Sequence, residues 1–145
     1  MILQIKLLSK TARVPEYEHA TDSGFDLRAD IESEIWLYPT QYMLIKTGLA
    51  VAVPDGCELQ VRPRSGTALK YGVSVLNSPG TVDAGYRNEI GVILHNTSER
   101  PFKIEPQQRI AQAVICPVIR AKFMVVTELP ESDRGMGGFG STGLK

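Results

Sequence analysis

Five short stretches of this chain carry side chains that could do chemistry. The run Arg62-Pro63-Arg64-Ser65-Gly66-Thr67 stops a β-rich segment at a proline, which has no amide hydrogen to continue a ladder. Past that stop stand a forked guanidinium on Arg64, a hydroxyl on Ser65 and an approachable backbone at Gly66. With a helical turn predicted over 67–70, free amides and an arginine together suit an anion. The run from Asn77 to Arg87 reads as the polar loop of a hairpin, with Val82, Asp83 and Tyr86 near its tip. An aspartate there is a candidate general base, and Tyr86 could lie flat against a sugar or base. A turn aspartate bonded to its own backbone would present the same sequence.

The other three stretches are quieter. In Ser23-Gly24-Phe25-Asp26-Leu27-Arg28-Ala29 a strand period sends Phe25 and Leu27 to a core and Asp26 to the other face. An acid so placed suits either a solvated surface or a Mg²⁺ held mostly by waters and substrate phosphates. Gln107-Gln108-Arg109-Ile110-Ala111-Gln112 opens a strand with polar groups. The last stretch, Arg134 to Gly143, is half glycine, and fixing so many glycines costs much backbone entropy. It still carries Arg134, Phe139, Gly140, Ser141 and Thr142, groups that suit an arm closing over a flat phosphorylated ligand as well as a solvated terminus.

The elements that must position these groups are strands. Helical periodicity is nearly absent, and short β-rich runs recur between Gly, Pro, Asn and Asp. Strands are expected over 3–8, 24–29, 34–37, 42–46, 49–53, 57–62, 73–76, 89–96, 102–104, 110–115 and 122–126. Alternation is clearest in Cys57-Glu58-Leu59-Gln60-Val61-Arg62, which predicts one wet face. The pattern implies an all-β sandwich, barrel or jelly roll. At 145 residues the chain is one domain with enough apolar content for a core. It divides into a body over 1–129 and a glycine-rich arm over 130–145, with Pro130 to Asp133 as tether.

Composition removes several classes of function. The formal net charge is zero, so no basic excess steers the chain to nucleic acid or an anionic membrane surface. No apolar run reaches bilayer length, and residues 1–8 read as a first strand and not as a signal peptide. Cys57 and Cys116 sit in apolar surroundings and are expected reduced and buried. His19 and His95 stand alone, without the spacing of a zinc site.

Taken in order, the five stretches resemble the five sequence blocks of the trimeric deoxyuridine triphosphatases (dUTP pyrophosphatases). Ser23 to Ala29 is similar to the first block, Pro63 to Ala68 to the second and Gly80 to Glu89 to the third. Gln107 to Gln112 is similar to the fourth and Arg134 to Gly143 to the fifth. The resemblance implies a jelly-roll-like β-barrel, a cytoplasmic homotrimer with shared sites, and hydrolysis of dUTP to dUMP and pyrophosphate. It implies a uracil pocket from Asn77, Gly80, Thr81, Val82 and Gly91, with Tyr86 packed on the deoxyribose. Asp83 would activate the attacking water, and Arg64, Ser65, Gly66 and Gln112 would hold phosphates. Mg²⁺ would ride on the triphosphate and reach Asp26 through water. Arg134 would cover the terminal phosphate, Phe139 the uracil, and Gly140, Ser141 and Thr142 the phosphate side. The chain departs from the common pattern at Gly85 and Asn88, where Asp and Gly are frequent, and at Gln107-Gln108, where Gly-Asp is frequent. Altered local hydrogen bonding is expected there. Two rivals are a dCTP deaminase of the same fold and a non-catalytic binding relative. The first would need an acid near Ile93, and the second would be expected to lack Asp83 or the arm.

Overall fold

The computed structural model describes residues 1–138. Among these described residues ten strands and one helix run in chain order as β1 (Gln4–Leu7), β2 (Phe25–Arg28), β3 (Ile35–Leu37), β4 (Tyr42–Ala52) and β5 (Cys57–Arg62), then α1 (Ser65–Tyr71). They continue as β6 (Val73–Val75), β7 (Gly80–Asp83), β8 (Glu89–Asn96), β9 (Phe102–Ile104) and β10 (Arg109–Pro117). The strands form a sheet of order β1-β4-β8-β6, a sheet of order β2-β10-β5-β7, and the pair β3-β9. The architecture is all-β and jelly-roll-like. Consecutive strands seldom pair within it, so its contacts are mostly distant in sequence.

Strand alternation builds the core. The inward residues Leu27, Leu59, Val92, Leu94 and Ile104 have essentially no exposure, and the two large sheets share one apolar cluster. Burying a side chain of that size contributes roughly 1.5–3 kcal/mol, which fixes the register and so decides which residues face outward. The predicted wet face of 57–62 is present, with Leu59 and Val61 buried and Glu58, Gln60 and Arg62 turned out. Both cysteines are free and half-buried. On β9, Lys103 has its pKa raised by a hydrogen bond to Glu105 and by the charges of Glu105 and Glu34.

Four expectations need correction. The predicted strands 42–46 and 49–53 are one strand, β4, interrupted only by a slip in its pairing with β8 between Lys46 and Ala50. The helix is longer than 67–70, running from Ser65 to a left-handed Gly72 at its end. Residues 80–83 form a strand, β7, because Gly80 and Val82 are buried while β7 pairs with β5. Residues 122–126 form no strand. Phe123, Met124 and Val125 stand almost fully exposed, with no sheet edge among the described residues to receive them.

Candidate active site

The outer face of the β2-β10-β5-β7 sheet gathers most of the chemistry. Alternation turns Asp26 on β2, Gln112 on β10, Arg62 on β5, and Thr81 and Asp83 on β7 away from the core. Gln112 lies opposite both Asp26 and Arg62, while Asp83 lies opposite Glu58 at the other end of β5.

At the first end stands a cradle centred on Asp26. Arg64 donates from Nε to Oδ1 of Asp26 at 2.9 Å, and Arg109 Nη1 meets Oδ2 at 3.1 Å. Arg109 Nη1 also meets Glu18 Oε2 at 2.9 Å. The Arg64 and Asp26 side chains are 34% and 20% exposed, so these charge-assisted bonds are only partly screened. Local backbone irregularity makes the cluster possible. The pairing of β10 with β2 slips between Arg109 and Ala111, and such a bulge re-aims a side chain. Here it leaves Arg109 half-exposed beside Asp26 while Ile110 and Ala111 both stay buried. Arg64 is the N-cap of α1, so Ser65 and Gly66 present first-turn amides that lack intrahelical acceptors. Gln112 Nε2 donates to Pro63 O at 2.9 Å, tying β10 to the same turn. These groups line an open cavity of about 620 Å³, with Thr67, Lys70, Tyr71, Glu18, His19 and Asp22 around its rim.

Asp83 and Tyr86 lie at the second end, on a turn that holds itself together. Tyr86 N donates to Asp83 O at 3.0 Å, and Tyr86 Oη donates to Glu89 O at 2.9 Å. Arg87 Nη1 donates to Ala84 O at 2.5 Å and Tyr86 O at 2.8 Å. The Asp83 carboxylate is exposed, and among the described residues nothing donates to it. Gly80 is buried where a Cβ would come 3.1 Å from Asn77 Nδ2 and 3.4 Å from Val61 Cβ. Gly91 lies under Leu44, whose Cδ1 would be 2.5 Å from an added Cβ. Val82 points into the core, so only its backbone is left for a ligand.

The two ends are well separated. Asp26 and Asp83 lie on opposite edge strands of a four-stranded sheet, about 14 Å across at ordinary strand spacing. Along the strands, Glu58 and Arg62 on β5 mark levels about 13 Å apart. The chain therefore brings Asp26, Arg64, Ser65, Gly66 and Gln112 together, sets Asn77 beside Gly80 at the Val61 end of β7, and sets Asp83 and Tyr86 at the other end of that strand, without joining Asp83 to the cradle. Arg134 lies in an exposed turn, its Nε donating to Gly137 O at 2.9 Å. Phe139, Gly140, Ser141 and Thr142 fall outside the described residues.

Among the described residues no three His, Cys, Asp or Glu side chains converge on a metal position. One oxygen of Asp26 accepts from Arg64, and the other is ion-paired with Arg109. Such a donor set fits a hydrated ion carried by a polyphosphate better than a resident one.

Sequence reasoning missed Arg109 and Glu18 as members of the cradle. Arg109 was visible as a charge inside the fourth block, but nothing in its spacing ties it to Asp26 across 83 positions. Three of the four departures from the common pattern make local hydrogen bonds, while nothing in the structure explains Gly85. Gln107 holds a left-handed φ of 62°, where a glycine would be unstrained, and its Nε2 donates to Thr11 O at 3.0 Å. Gln108 Oε1 accepts from Glu105 N at 2.7 Å, and Asn88 Oδ1 accepts from Glu89 N at 2.8 Å.

Residues 10–143 match the model of the dUTPase family. A deoxyuridine 5'-triphosphate nucleotidohydrolase of Clostridium tetani is 51% identical over 141 residues, covering 97% of this chain and 96% of its own length. The protein of that name from Chlamydia pneumoniae is 55% identical over 137 residues, covering 94% of each chain. Among solved structures, the dUTPase of Staphylococcus bacteriophage 80alpha with dUPNHPP superposes with a TM-score of 0.89 at 32% identity, covering 99% of both chains. A dUTPase variant from phage phi11 of S. aureus, described with a coordinated structural Mg(II) ion, superposes with a TM-score of 0.80 at 27% identity, covering 88% of this chain and 98% of its own.

Proposed function

Because the chain belongs to the dUTPase family, we propose that its reaction is the hydrolysis of dUTP to dUMP and pyrophosphate, with the two ends of the outer sheet face dividing the work. The observation that carries this reading is the Arg64–Asp26–Arg109 cluster beside the first turn of α1 and Gln112, all facing one open cavity. Two guanidiniums, a hydroxyl and backbone amides suit a triphosphate chain, while Asp83 and Tyr86 suit the reacting water and the sugar.

In this mechanism the Asp83 carboxylate accepts a proton from a water aligned behind the α-phosphorus. The new P–O bond forms as the bond to the bridging oxygen of pyrophosphate breaks, and the charge leaving on pyrophosphate meets Arg64 and the Ser65 and Gly66 amides. The chemistry is positioning and charge neutralisation, with no covalent intermediate. Mg²⁺ bound to the triphosphate supplies further neutralisation, and Asp26 is the carboxylate through which the cradle would meet its waters. Tyr86 walls the deoxyribose, and Asn77, Gly80, Thr81, the Val82 backbone and Gly91 surround the uracil. The product dUMP would feed dTMP synthesis while the pool is cleared of dUTP.

The partner reading is a homotrimer with shared sites in the cytoplasm. Its support is physical: one chain holds both halves of a site, about 13 Å apart along the sheet and on opposite edges. It also exposes an apolar run at Ile119, Phe123, Met124, Val125 and Leu129 that nothing among the described residues covers. Arg134, Phe139, Gly140, Ser141 and Thr142 would close over a neighbour's site, so a chain ending at Asp133 should fold and assemble yet lose most turnover. The deaminase rival is disfavoured by Ile93, which lies on β8 opposite Leu44 and cannot relay a proton. Parallel assays of pyrophosphate release from dUTP, dCTP, dTTP and UTP, with ammonia release from dCTP as control, test the reading. Only dUTP should turn over at high rate; ammonia from dCTP would replace this function with the deaminase.

A further inference from the structure

The pairing of β4 with β8 slips around Thr47-Gly48, and both backbone groups of Gly48 find partners outside that ladder. Gly48 N donates to Glu89 Oε1 at 2.8 Å, and Leu8 N donates to Gly48 O at 2.8 Å. The buried Thr47 donates from Oγ1 to Ile90 O at 2.6 Å. Gly48 has a φ of 68°, and a Cβ there would collide with the Asp30 carboxylate and lie 2.6 Å from Ala12 Cβ. Asp30 is in turn fixed by Ser9 Oγ and Thr11 Oγ1, both donating at 2.6 Å. The amide that Glu89 binds is therefore held from several sides and cannot follow a moving partner.

Glu89 is also the first residue of β8, at the foot of the turn that carries Asp83 and Tyr86. Its side chain grips the slip in β4, and its carbonyl oxygen accepts the Tyr86 hydroxyl at 2.9 Å. The opposite foot of the turn, β7, belongs to the other sheet. The turn thus spans two sheets, and Glu89 is the residue that ties the Tyr86 ring to the rigid slip on one side.

We propose that Glu89 is a positioning residue for Tyr86, and that it sets how strictly the site refuses a nucleotide bearing a 2'-hydroxyl. This rests on the reading of Tyr86 as the deoxyribose wall. Rejection of one added hydroxyl by sterics requires a wall that does not yield. Without the Glu89 carboxylate, the carbonyl that receives Tyr86 Oη keeps only the pairing of Glu89 with Ala50 at the end of the β4–β8 ladder, and the ring gains room to retreat. Glu89 does not touch the substrate; it acts through the tyrosine.

Steady-state kinetics with dUTP and UTP on the full chain test this, with circular dichroism and a melting curve to confirm folding. Glu89→Ala should lower the ratio of kcat/KM for dUTP over UTP roughly tenfold, a size ordinary for a lost steric distinction. Glu89→Gln keeps an acceptor at Oε1 and should hold the ratio within about twofold. Tyr86→Phe breaks the same connection from its other end and should lower the ratio too, which keeps the proposal testable if Glu89→Ala does not fold. A wild-type ratio in folded Glu89→Ala or in Tyr86→Phe overturns the proposal, as does Glu89→Gln behaving like alanine. If the unmodified protein prefers dUTP no more than UTP, the sugar-wall reading itself falls, before any variant is compared.

Discussion

Two aspartates on the outer face of one sheet are treated in opposite ways. Asp26, on edge strand β2, has both carboxylate oxygens held by guanidiniums and is mostly covered. Asp83, on the opposite edge strand β7, is exposed and accepts from no described donor. A carboxylate held between two arginines has part of its acceptor capacity committed to them, and its effect is to orient cations. A carboxylate left open can take a proton from water. The residue type is shared; in the mechanism proposed above, the neighbours are what make one aspartate a scaffold and the other a reagent.

The largest expected effect breaks the comparison on the reagent side. Asp83→Asn should lower kcat by about 10² to 10⁴, the usual worth of a general base, with little change in KM. Its melting temperature should stay that of the parent, because the carboxylate has no partner among the described residues to lose. An asparagine variant keeping more than a tenth of the turnover would show that Asp83 is as much scaffold as Asp26.

On the scaffold side the expected signature is different. Asp26→Ala leaves Arg64 and Arg109 facing each other without their shared anion. Given the partial exposure of all three groups, the cost to stability should be about 1 kcal/mol, read by urea unfolding. The kinetic loss should be about 10- to 100-fold in kcat/KM and should fall mainly on KM, since ground-state phosphate binding is what is disturbed. A Mg²⁺ titration sharpens the result. If the variant needs much more Mg²⁺ while KM at saturating metal is unchanged, Asp26 serves the ion more than the arginines.

A smaller effect is expected one strand away from the arginines. Gly24→Ala would place a Cβ 2.9 Å from Gln112 Oε1 and 3.1 Å from Ala113 O. The glutamine tip can swing aside, but the backbone carbonyl of β10 cannot. The predicted outcome is a loss of about 1–2 kcal/mol in stability from overpacking, with a several-fold rise in KM as Gln112 leaves Pro63 O. Unchanged KM would mean that Gln112 is not part of the phosphate surface.

Much of this arrangement was legible in the sequence, and the illegible parts have physical causes. Alternation in 57–62 and around Asp26 named the outward faces correctly, because burial on one face enforces a period of two. The Arg62-Pro63 stop was legible because proline cannot continue a ladder. Three things were not legible. The slip at Gly48 read as a gap between two strands, since a bulge and a turn share the same glycine signal. The placement of Arg109 beside Asp26 depends on a register slip between strands far apart in sequence. The 122–126 segment has strand composition but no strand in this chain, because composition reports a preference for pairing and not the presence of an edge to pair with.

Gln107 gives the smallest expected effect and bears on how the scaffold end is supported. It departs from a position where glycine is common, and it holds a left-handed φ of 62°. For a residue with a Cβ that conformation costs about 1 kcal/mol or slightly more. Against this, its amide donates to Thr11 O, a contact worth about 1 kcal/mol net, and its backbone carbonyl accepts from Arg28 Nη1 at 2.9 Å whatever the side chain. Gln107→Gly removes the strain and the Thr11 contact together, and adds freedom to the unfolded chain. The opposing terms nearly cancel, so stability should move by no more than about 0.5–1 kcal/mol, and kcat and KM for dUTP should not move. A large loss would mean that the Thr11 contact, which ties the N-terminal segment carrying Ser9 and Thr11 to the turn before β10, supports the cradle more than the strain opposes it.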